Sequence, residues 1–325
     1  MADAIVDALV VGGGPAGLSA ALWLARYRRQ VVVVDSGDYR NARVEQTHGY
    51  FGYGDCDPAE LRARALDDLA AYPRTAVRRT TVEAVRRSGS AFTAQLGDGD
   101  ELRALRVVLA TGVRDRFPEV DGFLDHYGAS AFHCPTCDGY EARDRTVVVL
   151  GWSADLAGFA LGLLDWARHV TLVTDGRSFE GDAEHRDVLA RHGIDVVEAS
   201  AAALDGTRGD LRAVRLGTGR SLPCDLLFFS LAHEPRAGLA VALGCALTAE
   251  GCVVVDDAQQ TTVPGVYAAG DLTPGIQLVQ VATAKGTIAG VQCAQSLRGE
   301  PGAPRSPEPA PDYDAELGSV RVDPR

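Results

Sequence analysis

The sequence predicts an α/β protein made of two similar three-layer units, and three stretches carry that prediction. Ala8-Leu9-Val10-Val11 runs into Gly12-Gly13-Gly14-Pro15-Ala16-Gly17, a helix follows through Leu22-Trp23-Leu24, and Val31-Val32-Val33-Val34 then ends in Asp35. Thr146-Val147-Val148-Val149-Leu150, a helix over about 154–167 and Val170-Thr171-Leu172-Val173 repeat the pattern. Gly265-Val266-Tyr267-Ala268-Ala269-Gly270-Asp271 then returns to the style of the first unit. Strand, Gly-rich turn, helix, strand and acid in that order make a Rossmann-like unit.

Length and charge bound the function. With 325 residues and 46% hydrophobic content, the chain can build two cores. A net charge of -12 argues against nucleic acid and anionic membranes as partners. Met1-Ala2-Asp3-Ala4 enters an apolar strand without a basic leader region, and no apolar run is long enough to span a bilayer. The expectation is a soluble cytoplasmic protein.

In the first unit each glycine has a task. Gly12 permits the tight turn, Gly14 lets the backbone approach a pyrophosphate, and Gly17 lets the helix pack on the sheet. Pro15 and Ala16 open the helix whose N-terminus would hold the phosphates, and Asp35 would accept the ribose hydroxyls. The motif alone is weak, but the flanking strands, helix and acid make a dinucleotide site the expectation. A loop rich in Gly, Tyr and Arg runs from Ser36 to Asp57, longer than a connector needs. A helix over about Pro58 to Tyr72 and alternating strands between Ala76 and Leu105 follow. Val107-Val108-Leu109 then ends in the small-residue turn Ala110-Thr111-Gly112.

Phe132-His133-Cys134-Pro135-Thr136-Cys137-Asp138-Gly139-Tyr140 is the stretch with the most chemistry. Proline after the first cysteine suits a first helical position, which puts Cys134 at a helix N-terminus that favours its thiolate. Two intervening residues let Cys134 and Cys137 close a reversible disulfide ring, and Asp138 can move a proton on or off a departing thiolate. Half of a zinc site and an inert buried pair are the competing readings. No second CxxC or histidine pair stands at ligand spacing, so no metal site is predicted.

Seven cysteines form only this one close pair. Cys224, Cys245, Cys252 and Cys293 lie in apolar surroundings and read as packing residues, a usage that fits a reducing compartment. Cys56, in the loop Tyr53-Gly54-Asp55-Cys56-Asp57-Pro58, is a candidate third redox thiol. His48 and His133 are candidates to hold a thiolate or take a proton near the sulfurs. His126, His169, His185, His192 and His233 read as surface or packing residues.

The turn of the second unit is degraded. In Gly151-Trp152-Ser153-Ala154-Asp155-Leu156 only the first glycine survives, and side chains at Ser153 and Leu156 crowd the phosphate and the helix packing. Asp175 suits a 2′-hydroxyl and would repel a 2′-phosphate. Cys252-Val253-Val254-Val255-Asp256 reads as a strand, and a helix over about Gln277 to Leu297 closes the fold. Beyond Gly299 the Gly, Pro and acid content reads as a mobile tail.

The order GxGxxG, ATG, CxxCDG, second Rossmann-like unit and YAAGD resembles the low-molecular-weight thioredoxin reductases, over about Ile5 to Leu297. That resemblance implies an α/β fold of two Rossmann-like three-layer domains, the central one inserted into a discontinuous FAD domain. The FAD-binding domain would take 1–115 and 238–299, the central domain 116–237 and the tail 300–325. FAD would be held by Gly12, Gly14, Pro15, Ala16, Gly17 and Asp35, with Ala110, Thr111 and Gly112 beside it. Gly270 and Asp271 would meet the ribityl chain, and the last helix, with Gln280 in its first turn, the flavin pyrimidine. The resemblance further implies Cys137 facing the flavin, Cys134 exchanging with substrate, Asp138 as the acid, rotation between two domain poses, and a homodimer. Its partner would be a thioredoxin-like protein or a small-molecule dithiol or disulfide.

Departures from that pattern qualify the electron donor. Asp175-Gly176 stands where NADPH-using relatives carry an arginine pair, and Val279-Gln280 where they carry Arg-Gln, so NADPH specificity is not expected and NAD(P)H use stays open. Three functions follow: a thioredoxin-reductase-like disulfide reductase, a flavin dithiol oxidase passing electrons to oxygen, and a redox-sensing flavoprotein without turnover. Tyr313 in the tail is a candidate cover for the flavin.

Overall fold

The structure, a computed structural model, describes residues 5–298, so Tyr313 and the tail lie outside the described residues. The larger sheet has seven strands. From one edge it runs Thr75–Arg78, Val31–Val34, Ile5–Val11, Glu101–Leu109, Ala91–Leu96 and Val82–Ser88, with Val266–Ala268 also paired to Glu101–Leu109. The first four of these run parallel, and Val31–Val34 is buried throughout, as a parallel strand covered on both faces requires. Strands from residues 5–109 therefore share a sheet with one from the far end of the described chain.

Helices Pro15–Arg26 and Val279–Ser296 lie together against this sheet. Glycines allow the close approach: a Cβ at Gly286 would overlap the carbonyl oxygen of Ala16, and one at Gly290 that of Ala20. The Ser19 hydroxyl donates to the Thr283 carbonyl (2.9 Å), and Cys293 is fully buried in the same core.

The second sheet is parallel, in the order Ala131–Phe132, Leu226–Phe229, Thr146–Leu150, His169–Val173 and Asp195–Val197. Helices Leu156–Leu163 and Ala183–Arg191 belong to it, and an antiparallel sheet of Ala201–Thr207, Asp210–Leu216 and Ser221–Pro223 accompanies it. Where the chain crosses between the two units, Val113–Asp115 pairs antiparallel with His233–Pro235. The fold is thus the α/β architecture expected, with two Rossmann-like units.

Some expected elements change. The helix expected at 154–167 is shorter, Leu156–Leu163. Cys252–Asp256 is not a ladder strand and makes only isolated bridges, Leu247 to Val253 and Val255 to Thr261. Its amides point to separate neighbours, Val253 to the Leu272 carbonyl and Val254 to that of Ala246, so no single partner strand can form. The loop from Ser36 to Asp57 contains a hairpin, Thr47–Tyr50 with Gly54–Cys56. Among the described residues no helix is long and apolar enough to cross a membrane.

Candidate active site

A cavity of about 1210 Å³ opens between the two units. Its first wall is the glycine turn. Gly12 has φ +107°, and a Cβ there would overlap the Ala110 carbonyl oxygen. A Cβ at Gly17 would overlap the carbonyl oxygen of Gly12, whereas Gly14 has nothing within 4 Å. Gly14 is the N-cap of a helix with Pro15 at its start and no capping side chain, so its first amides are free for an anion. Ala16 lines the cavity here, and Gly17 packs beneath it.

Asp35 sits at the end of its strand, buried, with Oδ1 accepting from the amides of Gly13 (3.2 Å) and Gly37 (3.1 Å). Its other oxygen accepts from the Tyr39 hydroxyl and from an Arg79 N–H. A ribose would therefore share or displace those two donors.

The opposite walls come from Ala110-Thr111-Gly112, Gly270, Asp271 and the start of the last helix. The Thr111 hydroxyl donates to the Arg236 carbonyl (2.8 Å), fixing one crossing strand to the cavity rim. Leu278 caps the last helix without a side-chain bond, which leaves its first-turn amides uncapped at the cavity edge. The Gln280 side chain donates to the carbonyl of Gly49 in the hairpin.

Arg40, from the long loop, was not singled out by sequence reasoning, yet it ties these walls together. Its Nε and Nη2 bind both oxygens of Asp115 (2.8 and 2.6 Å), and Nη1 binds Asp271 (2.9 Å) and the side-chain Oε1 of Gln277 (2.7 Å). The fork holds the Asp115 carboxyl below the usual carboxylate range despite its burial. The loop's length and its arginines were the available signal.

Cys134 and Cys137 form a disulfide. Cys134 is the N-cap of the short helix Pro135–Asp138, with Pro135 at its start, and its Sγ accepts from the Cys137 amide (3.1 Å). The two cysteines line different cavities. Cys137 lines the large cavity with Asp138 and His48, while Cys134 lines a second cavity of about 290 Å³ whose wall includes Arg40, Asp115, His133 and His233.

Asp138 is only 6% exposed, and burial pushes its carboxyl up to about 7, with Glu141 adding to the rise and His48 opposing it. Near neutral pH it can therefore give or take a proton. His48 reaches the cluster from the hairpin: its Nδ1 lies 2.9 Å from Asp55 and 3.9 Å from Glu141. His133 differs from the expectation. Burial, aided by Arg40, lowers it to about 4, so it is neutral, and its Nδ1 meets the Tyr127 hydroxyl at 3.2 Å. A neutral imidazole gives a thiolate no charge stabilisation.

Cys56 is corrected. It closes the strand Gly54–Cys56, is buried, and burial together with Glu60, Asp55 and Asp57 raises its thiol, so it lacks the accessibility and acidity of a redox thiol. Cys224, Cys245, Cys252 and Cys293 are buried and unbonded, as packing residues should be. His126 is buried against Ser130, and His233 meets Gln277 at 3.0 Å.

At the second glycine turn, side chains stand where the first has glycines. Gly151 keeps the tight bend at φ +150°, where a Cβ would lie 2.7 Å from the Ser230 carbonyl oxygen. Arg177 stacks over the Trp152 ring at 3.9 Å, and the Trp152 carbonyl accepts from the Glu180 amide (2.8 Å). Asp175, expected to meet a ribose, accepts from the Ala201 amide (3.1 Å).

Comparison with known proteins places this geometry. The family model described as pyridine nucleotide-disulphide oxidoreductase matches residues 6–286. A thioredoxin reductase of Gibberella zeae is 30% identical, over 90% of this chain and 98% of that protein. Thioredoxin reductase tcpT of Claviceps purpurea is 33% identical, over 90% of this chain and 94% of its own length. The crystal structure of HlmI superposes with a TM-score of 0.86 at 33% identity, covering 91% of this chain and 95% of that one. The chain therefore belongs to the pyridine nucleotide-disulphide oxidoreductase family, as an oxidoreductase of the thioredoxin reductase-like kind.

Proposed function

We propose that the protein is an FAD-dependent dithiol/disulfide oxidoreductase in which two electrons pass between a flavin in the large cavity and the Cys134–Cys137 pair. One observation carries the reading: Cys137 shares that cavity with the glycine turn, the Ala110-Thr111-Gly112 turn, Gly270-Asp271 and the start of the last helix. The cavity exceeds the roughly 300–1,000 Å³ of ordinary small-molecule sites, as an extended dinucleotide needs.

The residues present fit such a group. Gly14 leaves the space a pyrophosphate would take, and the uncapped amides from Ala16 onward supply its donors. The uncapped start of the helix Val279–Ser296 would favour negative charge on a ring placed against it. When bound, FAD would supply a two-electron carrier. Asp138 moves the proton that accompanies opening and closing of the cysteine pair, its charge set first by burial and then by His48 and Glu141.

A second reading, a flavin dithiol oxidase acting on a small molecule with oxygen as acceptor, is favoured by the second turn. Trp152 under Arg177, and Asp175 held by Ala201, make a poor cradle for a pyridine nucleotide. We derive no step through NAD(P)H. The remaining expectations, a thioredoxin-like or small dithiol partner, a homodimer and a cytoplasmic setting, belong to this proposal; the buried unbonded cysteines support a reducing compartment.

Anaerobic mixing tests it. If the reading holds, dithiothreitol bleaches the flavin band of the purified protein. Bleaching by micromolar NADH or NADPH selects the reductase; bleaching by dithiol alone, with peroxide on admitting air, selects the oxidase. Protein that takes up no FAD, or whose flavin ignores every thiol, overturns both.

A further inference from the structure

The unit carrying the cysteines is fastened to the first unit by a contact outside the lining of either cavity. Arg208 lies in the turn between Ala201–Thr207 and Asp210–Leu216 and reaches the long loop of the other unit. Its Nε binds Glu45 (2.7 Å), Nη2 donates to the Arg43 carbonyl (3.1 Å), and Nη1 donates to the carbonyls of Asp125 (3.0 Å) and Tyr127 (3.2 Å). Beside it the Glu45 amide donates to the Gly128 carbonyl at 3.1 Å. Gly128, at φ +82°, has no room for a side chain: a Cβ would overlap the Arg43 carbonyl oxygen and lie 2.7 Å from Val44 Cα. Gly128 in turn bonds Ala131, at the start of the strand leading to Cys134. Within the first unit, Arg40 anchors the same loop to Asp115.

With the units fastened in this way, Cys134 still lines its own cavity. That space, about 290 Å³, is at the small end for a ligand site. Its wall is polar at Arg40, Asp115, His133 and His233, and apolar at Leu231 and the 67% exposed Ile276. It admits a small molecule. A folded protein, whose reactive sulfur lies near its own surface, would need the cysteine unit to swing out first.

We propose that Arg208, Glu45 and Gly128 form a clasp that keeps the cysteine unit docked during turnover, so that the exchanging partner is a small dithiol or disulfide entering at Cys134. The inference rests on Cys134 being the exchanging sulfur, and it makes Arg208 a positioning residue that sets specificity. In the exchange, a substrate thiolate attacks Cys134 Sγ, a bond forms between them, and the Cys134–Cys137 bond breaks with its electron pair on Cys137. Cys137 takes a proton, for which Asp138 is the neighbouring source. The second substrate thiol, losing its proton, attacks the first substrate sulfur and releases Cys134. The substrate is oxidised to a disulfide by two electrons, and the cysteine pair is reduced by the same two.

The test follows the cysteine pair directly, in anaerobic holoprotein. Dithiothreitol or reduced thioredoxin is added, the reaction is quenched with iodoacetamide, and alkylation of Cys134 and Cys137 is read by peptide mass. Native protein should be reduced by dithiothreitol about 100-fold faster than by thioredoxin at equal thiol concentration, and Arg208→Ala with Glu45→Ala should narrow that ratio about tenfold. Arg208→Lys, which keeps the charge and loses the fork, should narrow it less. Equal rates in native protein, or a ratio unmoved in the double variant, overturn the proposal. Should that variant not fold, amide exchange of native protein decides: the Glu45 amide stays as protected after reduction as before, and its deprotection on reduction overturns the clasp. If neither thiol reduces the pair, the proposed function fails, and the same amide measurement still judges the clasp.

Discussion

The two glycine turns of this chain have the same backbone plan and opposite outcomes. At Gly12-Gly13-Gly14 the bend leaves open space beside Gly14, and the next acid, Asp35, faces the same cavity. At Gly151-Trp152-Ser153 the bend survives, but an indole lies under a guanidinium there and Asp175 serves a neighbouring strand. A Rossmann-like unit can therefore keep its strand–turn–helix geometry with side chains in place of the later glycines, because that geometry needs only the first glycine and a buried core. In the proposed function the central unit contributes its chemistry at the cysteine helix.

Three substitutions break or sharpen that contrast, in decreasing order of effect. Gly17→Ala should be the most damaging, because its Cβ has only the carbonyl of Gly12 to meet; we expect about 3 kcal/mol lost in urea unfolding, and protein purified without flavin colour. Leu156, at the matching place in the second turn, already carries a side chain. A stable, fully coloured Gly17→Ala variant would show that the two turns are equally permissive.

Asp138→Asn comes next and tests where the central unit's chemistry resides. Thiol-driven flavin reduction should slow by about 10²-fold. In native protein the proton-donating form is present below about 7 and lost above it, so the corresponding limb of the rate profile should vanish in the variant. The stability sign follows from linkage. The unfolded carboxyl ionises near its ordinary value of about 3.9, and the folded one only near 7, so native stability falls as pH rises between them. Denaturant midpoints should show that decline in native protein and a flatter profile in the variant.

Trp152→Ala with Ser153→Gly should do least. Opening the second turn removes the stacked plug but leaves Asp175 engaged, so NADH affinity, followed by fluorescence quenching, should gain about tenfold at most. Tight NADH binding by native protein would mean that the stack is not an obstacle.

Much of this was legible in the residue order. The buried valine run Val31–Val34 and the proline after Cys134 each specify a local structure with few alternatives, and both formed as expected. Val253 and Val254 have an equally apolar run around them, but their amides found two different partners, a tertiary outcome no local pattern encodes. Arg40 and Arg208 were hidden for a similar reason: their meaning lies in carboxylates and side-chain or backbone carbonyls up to 237 positions away. Cys56 looked accessible because glycine and aspartate surround it, whereas the hairpin folds its sulfur inward.

The pairing of Pro15–Arg26 with Val279–Ser296 bears on how the protein is made. Ribosomes deliver a chain from its N-terminus, and contiguous units fold as they emerge. The sheet of residues 131–229 is complete in one stretch, whereas the glycine turn waits for a helix that arrives more than 250 positions later. Newly synthesised molecules thus pass through a stage with a finished thiol-bearing half and a glycine turn whose packing partner has yet to be made.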